Sequence, residues 1–391
     1  MKVLHVTSGI DPKSGGPTRS VKGICRALAR DGIDVTLLVL HGHHEFDNSC
    51  GTKVVYGSLP DVRGFDLIHL QGLWDPALHK VALACRRAKI PYVMSPRGML
   101  DPWALSVKKW KKRLAMFLYQ RNDLKCARAF HVTAALEEES VRQAGFKQFC
   151  IIAPNGVDIP DERMFECSEY SNVLAGEGRT AIFLSRLHPG KGLLLLAEAW
   201  ARVNPKGWTM RIVGPDPYGH KAEVLAKLDA LGITHADVPA RTQSNNRTIE
   251  HHSSDFASQS DLRSVDISNN SSWQFVDMVD DVRKWQEYAT AELLVHPSIS
   301  ENFGITIAEG LAAGLPVICT DGTPWAEIAE RKCGWYIKAD SVDALAIALR
   351  EATNSTELAE MGARGRKLVE DHYTWLAVCD KMVRGYEEVL K

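Results

Sequence analysis

The chain has 391 residues, 45% of them hydrophobic and 24% charged, so it is an ordinary globular protein with room for two α/β domains of similar size. Its formal net charge of -1 argues against a general nucleic-acid binder. The nine cysteines are scattered without a C-x-x-C pair, which favours a reducing cytoplasmic compartment over a disulfide framework.

The first half alternates short apolar segments with helix-length ones, beginning with a buried strand rather than a signal peptide. Strands are predicted at 2–7, 34–40, 66–71, 91–95, 129–133 and 149–153. Helices are predicted near 17–31, 77–89, 104–126 and 134–145. Continuous Val, Ile and Leu runs separated by helices indicate a parallel sheet that is covered on both faces. No uncharged apolar run reaches the length of a membrane span.

A second series of the same kind follows a polar stretch at 161–178, which is interpreted as a linker. Its strands are predicted at 180–185, 209–213, 292–296 and 316–319. Two βαβ series predict two Rossmann-like domains, residues 1–165 and residues 176–373. The last helix, within 374–391, is placed by its position alone as a segment that packs back on the first domain.

Residues 241–272 interrupt this rhythm, since they are rich in Ser, Asn, Asp and Gln and poor in aliphatic residues. Such a segment buries too little apolar area to offset its ordering entropy, so an exposed loop or a disordered insertion is expected. Its two adjacent histidines, His251 and His252, have no second ligand pair at a useful spacing, and no metal site is predicted.

The most informative motif is SENFGITIAEG, residues 300–310, in which Glu301 precedes a helix and Glu309 lies on it. The free N–H groups of a helix start suit a diphosphate. A carboxylate accepts two hydrogen bonds, so Glu309 fits a ribose diol and Glu301 fits sugar hydroxyl groups. The alternative interpretation is that both are solvated residues at a helix start.

A second motif, SRLHPGKG at 185–192, places Arg186 and Lys191 in a Gly/Pro loop at the carboxyl end of a strand, where open α/β sheets bind ligands. The two cations can neutralise a departing nucleoside diphosphate. Surface salt bridges are the alternative for either residue alone. The strand end near Gly214 and residues 273–281 are expected to line a nucleobase pocket.

A weaker motif, SGGPT at 14–18, follows the first strand. Gly15 and Gly16 would let the backbone approach a phosphate, and Pro17 suits a first helical turn. A simple tight turn explains the motif equally well.

Together with PNGVD at 154–158, the motifs at 185–192 and 300–322 resemble the retaining family-four glycosyltransferases of the GT-B fold. The segment SPRGMLDPWAL at 95–105 is similar to bacterial members that build surface polysaccharides or exopolysaccharides. The resemblance covers nearly the whole chain apart from 241–272. It implies two Rossmann-like domains facing across a cleft and transfer from a nucleotide-sugar donor, of UDP or GDP type, to a glycan or lipid-linked acceptor.

By resemblance, Arg186 and Lys191 hold the donor diphosphate and Glu309 the ribose. Glu301, with Asn302, Phe303 and Gly304, holds the donor sugar, while Gly15 and Gly16 contact phosphates or acceptor from the opposite domain. Several relatives carry a catalytic-site histidine where this chain has Arg97. Arg97 can position the sugar or a phosphate but cannot act as a base near neutral pH, so that acid–base role is not assigned to it. His131 fits a cleft-facing side chain and a hydrogen-bonded core histidine equally well.

In transfer of this kind the departing phosphate oxygen can take the acceptor proton, so no protein nucleophile is needed. The chain contains no Asp-x-Asp, and the cation pair supplies what a metal would, so metal-independent activity without a cofactor is expected. The alternatives are a GT-B sugar-nucleotide epimerase, a phosphorylase, or a non-catalytic scaffold that binds glycan or lipid.

The predicted helix over 104–125 carries seven basic residues and one acidic residue, with an apolar stripe at helical spacing. One interpretation is a docking surface for an anionic membrane, which would make the enzyme peripheral at the inner face of the plasma membrane. The other is an ordinary amphipathic helix whose apolar side lies in the core of the first domain.

Overall fold

The computed structural model of the protein describes residues 1–11, 16–44, 46, 49–161, 178–238 and 272–391. The chain forms two compact units. The first contains Met1–Asp158, Glu301–Ala308 and Leu368–Lys391, and the second contains Ile159–Ser300 and Glu309–Lys367. The expected linker at 161–178 and the expected insertion at 241–272 fall almost entirely outside the described residues.

The first unit contains a parallel sheet of seven strands in the order β3-β2-β1-β4-β5-β6-β7. The strands are β1 (Lys2–Thr7), β2 (Asp34–Val39), β3 (Lys53–Tyr56), β4 (Leu67–Gln71), β5 (Tyr92–Ser95), β6 (Ala129–Val132) and β7 (Phe149–Ile152). Leu4 and Val6 pack in one hydrophobic core and Val3 packs in another, so both faces of β1 are covered. This double burial explains the continuous apolar runs in the sequence.

The helices of the first half connect these strands. They are α1 (Gly16–Arg30), α2 (Pro76–Ala88), α3 (Pro102–Ser106), α4 (Lys109–Ala115), α5 (Arg121–Cys126) and α6 (Ala135–Gln143). A π-helical stretch, Met116–Gln120, joins α4 to α5. The single helix predicted over 104–126 is therefore wrong in detail: Lys108 has a left-handed backbone (φ 53°), which ends α3 before α4 begins.

The second unit contains another parallel sheet of seven strands, in the order β10-β11-β9-β8-β12-β13-β14. The strands are β8 (Arg179–Leu184), β9 (Trp208–Val213), β10 (Thr234–Val238), β11 (Ser272–Val276), β12 (Leu293–His296), β13 (Val317–Thr320) and β14 (Gly334–Ile337). The two parallel sheets confirm the predicted α/β class with two Rossmann-like domains.

The remaining helices follow in chain order. They are α7 (Leu193–Val203), α8 (His220–Ala230), α9 (Asp281–Ala289), α10 (Ile305–Ala312), α11 (Glu327–Glu330), α12 (Val342–Asn354), α13 (Leu358–His372) and α14 (Trp375–Leu390). Among the described helices, none has the length and apolar character that crossing a bilayer requires.

The C-terminal helix α14 packs on the sheet of the first unit. Val378, Met382 and Tyr386 share a hydrophobic core with β1, β2 and α1. A Cβ at Gly23 would lie 2.0 Å from the Trp375 ring, and a Cβ at Gly156 would lie 2.4 Å from it. Trp375 therefore fills a slot that exists only because two residues far apart in the sequence lack side chains.

Four strands were not predicted: β3, β10, β11 and β14. β3, β10 and β14 are edge strands, where partial exposure dilutes the apolar run that identifies a central strand. β11 is mostly buried, but Ser272 and Gln274 interrupt its apolar residues. The β14 side chains, for example, are all half-buried, whereas those of β4 are all buried.

Candidate active site

The second sheet has a topological switch point between β8 and β12, its two adjacent central strands. Open parallel sheets bind ligands outside the carboxyl ends of the strands at such a point. Arg186 and Lys191 follow β8, and residues 297–300 follow β12. The fold therefore places the two predicted cations where a ligand is expected.

The loop with these cations is held against the segment after β12. Ile299 N donates a hydrogen bond to Gly190 O at 3.0 Å. Gly192 has φ +75°, and a Cβ there would lie 2.2 Å from Pro297 O. Only glycine meets both the backbone and the space requirement, so this contact fixes the path of the chain beside Lys191.

Gly214 supports the same loop from β9. Its φ is +140°, and a Cβ at this position would lie 2.0 Å from Ser185 O. A cavity of about 420 Å³ opens beside it, lined by residues that include Leu187, Lys221, Phe275 and Asp277. This cavity is at the strand ends where the sequence predicts a nucleobase pocket.

The pKa of His188 is affected by the positive charges of this loop. Its Nδ1 accepts a hydrogen bond from Gly190 N at 3.0 Å. Burial, and then the charges of Lys191 and Arg186, lower the pKa of His188 below its usual value. Arg186 is exposed and Lys191 is half-buried. Arg186 and Lys191 belong to the same short loop, and the field of two cations favours an anion at this edge.

Glu309 lies on α10 and is 5% exposed. Lys284 Nζ donates to its Oε1 at 2.6 Å, and Tyr288 OH donates to its Oε2 at 3.2 Å. Both donors belong to α9 and are four residues apart, so they lie on the same side of that helix. The carboxylate assigned to the ribose is thus a buried group with a fixed orientation.

A second buried ion pair fixes α9 to the sheet. Arg211, on β9, donates to Glu287 through Nε at 2.5 Å and Nη2 at 3.2 Å. Its Nη1 donates to Gln274 Oε1 on β11 at 2.7 Å. Paired guanidinium–carboxylate hydrogen bonds are strongly directional, so they limit how α9 can shift or rotate.

The segment Glu301–Ala308 belongs to the first unit. Asn302 Nδ2 donates to Thr133 Oγ1 at 3.1 Å. The ring of Phe303 is buried and lies 6.0 Å from the ring of Tyr373. Gly304 has φ +76° immediately before α10. Glu301 is half-buried and begins this segment.

Glu137 was not identified from the sequence, although it connects three parts of this region. Its Oε1 accepts from Gly98 N at 2.6 Å, and its Oε2 accepts from Thr133 N at 2.8 Å and Thr133 Oγ1 at 2.9 Å. In the sequence Glu137 is simply a glutamate in the first turn of α6, and a glutamate at that position is usually interpreted as a helix cap. Glu137 fixes the loop after β5 relative to the end of β6.

Arg97 lies in that loop with a left-handed backbone of φ 56°, which costs about 1–2 kcal/mol for a residue other than glycine. Its Nε and Nη2 donate to Gln71 Oε1, and its Nη1 donates to Ser20 Oγ and Asn155 Oδ1. Burial lowers the pKa of Arg97, and the charge of Glu137 raises it. The structure thus holds this guanidinium with neutral side chains from three other segments.

His131 belongs to a buried polar network in the first unit. Its Nδ1 lies 2.7 Å from Ser95 Oγ, and its Nε2 lies 2.9 Å from Ala153 O. Ser95 Oγ is also 2.7 Å from His69 Nε2. Tyr386 OH lies 2.5 Å from His69 Nδ1. Both ring nitrogens of His131 are therefore hydrogen-bonded, as the core-histidine interpretation requires.

The network holds its histidines neutral. Burial, and then the charge of Arg97, lower the pKa of His5 and of His131 to about 3. Burial lowers the pKa of His69 well below its usual value, and the neighbouring His5, His131 and Arg97 lower it further. None of the three can accept a proton near neutral pH without disturbing the core.

Gly15 lies outside the described residues, and Gly16 begins α1. The structure therefore gives no position for the first half of the SGGPT motif. Within the described part of the chain, no three His, Cys, Asp or Glu side chains are grouped as a metal ion would require.

The family comparisons match both halves of the chain. Residues 15–156 match the family described as Glycosyl transferase 4-like domain, and residues 259–368 match the family described as Glycosyl transferases group 1. The two parallel seven-stranded sheets agree with this two-part match. The chain belongs to the group 1 glycosyltransferases of the GT-B fold.

Curated relatives are similar over part of the chain. The GDP-mannose-dependent alpha-mannosyltransferase of Mycolicibacterium smegmatis is 33% identical over 105 residues, which is 26% of this chain and 27% of that protein. The D-inositol 3-phosphate glycosyltransferase of Jonesia denitrificans is 26% identical over 278 residues, 68% of this chain and 55% of that protein. The chain thus spans about half or less of the length of these relatives.

Solved structures are similar over nearly the whole chain. Anabaena HepE, in complex with UDP and glucose, superposes with a TM-score of 0.71 at 18% identity, covering 99% of this chain and 100% of that one. WaaG, a glycosyltransferase involved in lipopolysaccharide biosynthesis, superposes with a TM-score of 0.66 at 16% identity, covering 97% and 98%. At this level of identity the likeness establishes the fold.

Proposed function

We propose that this protein is a retaining glycosyltransferase that moves a sugar from a nucleotide-sugar donor to a glycan or lipid-linked acceptor, in bacterial polysaccharide or lipopolysaccharide biosynthesis. The observation that carries the proposal is the cation pair Arg186 and Lys191. It lies in a loop that Gly192 and Gly214 fix at the switch point of a parallel sheet. A nucleoside diphosphate is the anion that this position suits.

Each other predicted residue receives a role on this basis. Glu309 accepts hydrogen bonds from the ribose, and Gly214 lies at the nucleobase cavity. Glu301, with the backbone of Asn302, Phe303 and Gly304, contacts the donor sugar. Gly15 and Gly16 approach a phosphate or the acceptor. Arg97 and His131 are positioning groups, since neither can exchange a proton near neutral pH in its surroundings.

The proposed reaction retains the anomeric configuration. The acceptor hydroxyl attacks from the face that the diphosphate leaves, and the leaving phosphate oxygen takes the hydroxyl proton. Arg186 and Lys191 stabilise the negative charge that develops on that phosphate. Preorganised charge of this kind contributes about 3–4 kcal/mol for each well-placed donor. Because two side chains supply the charge, the transfer does not require a divalent ion.

The donor is a UDP or GDP sugar. One similar structure holds UDP and glucose, and one curated relative is named for its dependence on GDP-mannose. The cavity beside Gly214 carries Lys221 and Asp277, which offer a donor and an acceptor to the edge of a base.

The direct test is release of nucleoside diphosphate from a panel of UDP and GDP sugars, with and without lipid-linked oligosaccharide acceptors, in excess EDTA. We expect release that depends on the acceptor and is unchanged by EDTA, with an α-linked product from an α-linked donor. Activity that EDTA abolishes and magnesium restores would contradict metal independence. Donor turnover without acceptor would identify an epimerase, and no release with any pair would favour a scaffold.

We also propose that the segment 104–125 docks on an anionic membrane, which would make the enzyme a peripheral protein of the cytoplasmic face. The apolar stripe of this segment points outward, while Gln120 and Asp123 face the protein. Trp110 is 67% exposed, Phe117 is 86% exposed and Leu118 is 65% exposed. Burial of this apolar side in the core, the alternative interpretation, does not occur.

The inner side of the segment explains this orientation. Gln120 Oε1 accepts from Trp74 N at 2.7 Å, and Tyr119 OH donates to Trp74 O at 2.6 Å. Asp123 is 1% exposed and pairs with Arg86 at 2.6 Å. The π-helical stretch places Tyr119 and Gln120 on the same backbone unit of Trp74, so Phe117 and Leu118 point away.

Exposed cations flank the outward apolar residues. Lys108, Lys109, Lys111 and Arg113 are all exposed. Basic residues near an anionic bilayer contribute about 1 kcal/mol each, and exposed aromatic side chains insert at the headgroup level. Charge and apolar area on one surface favour anionic lipid over a protein partner.

Reversing the charge of Lys108, Lys109, Lys111 and Arg113 to glutamate should reduce binding to vesicles of phosphatidylglycerol and phosphatidylethanolamine by about a thousandfold or more, from roughly 1 kcal/mol for each residue. Sedimentation with the vesicles measures it. The matched control reverses four exposed cations elsewhere in the first unit, Arg63, Lys80, Arg87 and Lys147. Equal sedimentation of both variants and the native protein would contradict the docking surface.

A further inference from the structure

We propose that Lys284 and Tyr288 are positioning residues that orient the carboxylate of Glu309 so that it binds the donor ribose. The inference rests on the proposed ribose role of Glu309 and adds the residues that make that role possible. Its basis is the buried arrangement of three side chains from two helices, α9 and α10.

Each oxygen of the Glu309 carboxylate accepts a hydrogen bond from a side chain of α9. Lys284 Nζ is 2.6 Å from Oε1, and Tyr288 OH is 3.2 Å from Oε2. Two donors from adjacent turns of one helix define the plane of the carboxylate, and a planar, fixed carboxylate matches a vicinal diol.

Burial makes Lys284 important for the position of the Glu309 carboxylate. Lys284 is 5% exposed, as is Glu309, and Tyr288 is fully buried. An uncompensated buried charge is costly, so without Lys284 the carboxylate of Glu309 should turn away from this position and lose its alignment with the ribose hydroxyl groups.

The anchoring of α9 makes the arrangement rigid. Glu287 lies on the same helix between Lys284 and Tyr288 and is fully buried against Arg211 of β9. Because the sheet fixes α9 through this ion pair, it also fixes the backbone positions of Lys284 and Tyr288. The chain of contacts runs from β9 through α9 to Glu309, with no exposed member.

The test compares the affinities of ribonucleotides and 2′-deoxyribonucleotides. Binding of UDP, GDP and their 2′-deoxy forms is measured calorimetrically for the native protein and for K284M, K284R, Y288F and E309Q. The ratio of ribo to deoxy affinity isolates the hydroxyl contact, because base and diphosphate contacts cancel. A hydrogen bond to a charged group corresponds to a preference of about ten- to a hundredfold in the native protein.

We expect K284M and E309Q to reduce the ribose preference to within about threefold, while K284R retains most of it. Y288F deletes only a hydroxyl group and should fold normally. It should lower the preference about threefold, which keeps the proposal testable if K284M does not fold.

The matched control is K227M, which breaks the half-exposed Lys227–Glu198 pair in the same unit. It should leave the preference unchanged. If E309Q loses the preference while K284M and Y288F keep it, the positioning role is wrong and the ribose role of Glu309 stands. If E309Q keeps the preference, the ribose role itself fails, and the inference fails with it.

Discussion

Replacing both Arg186 and Lys191 by methionine should lower turnover of the donor by on the order of 10⁴-fold, since each well-placed donor accounts for about 10²–10³ in rate. The reason is that the leaving nucleoside diphosphate would depart without a compensating charge. Neither residue is part of the apolar core, so the variant should keep its melting temperature. Release of nucleoside diphosphate at saturating acceptor measures the effect.

The matched control is K206M, which removes an exposed cation beyond the other end of α7. It should change neither turnover nor nucleotide affinity. Native affinity and native turnover in the double variant would show that the diphosphate is held elsewhere. If affinity fell but turnover did not, Arg186 and Lys191 would bind the ground state and the transition state equally and would not accelerate the reaction.

Acidification from pH 7.5 to 5.5 should lower the free energy of unfolding by about 4 kcal/mol through the buried histidines alone. His5, His69 and His131 have a depressed pKa in the fold, while the ordinary histidine pKa of about 6.5 applies to the unfolded chain. Their stabilising contribution is complete above that pH. It is lost as the pH falls toward the folded pKa, because only the unfolded chain takes up the protons.

Each histidine contributes a slope of about 1.4 kcal/mol per pH unit below pH 6.5, which gives about 4 kcal/mol per unit for three. Urea unfolding at several pH values measures the slope. Replacing His5 by asparagine should lower it by about a third, because one of the three buried histidines is then absent. If the free energy of unfolding of the native protein changed by less than about 1.4 kcal/mol per pH unit, the folded network would have to accept protons.

Much of the fold was accessible from the sequence because central strands and long helices have strong local patterns. The buried runs of β1, β4 and β12 are continuous, and a strand of that kind can be identified from a few adjacent residues. Edge strands such as β3 and β14 were missed, because half-buried residues do not produce that pattern.

The candidate site was predictable only for residues in compact motifs. Arg186, Lys191, Glu301 and Glu309 lie within short stretches whose glycines and charges are visible together. Glu137 and Lys284 carry no such signal, since each is an ordinary charged residue in the first turn of a helix. Their importance comes from partners on other elements.

By itself, the sequence determined the two α/β series, the membership of a glycosyltransferase family and the positions of the charged motifs, because all of these depend on residues close together in the chain. The tertiary structure decided which side of 104–125 faces outward and which groups contact each charge. Lys284 and Glu309 are 25 residues apart, and His69 and Tyr386 are 317 apart. Local spacing cannot specify such pairs, since they form only when separate helices and strands pack together.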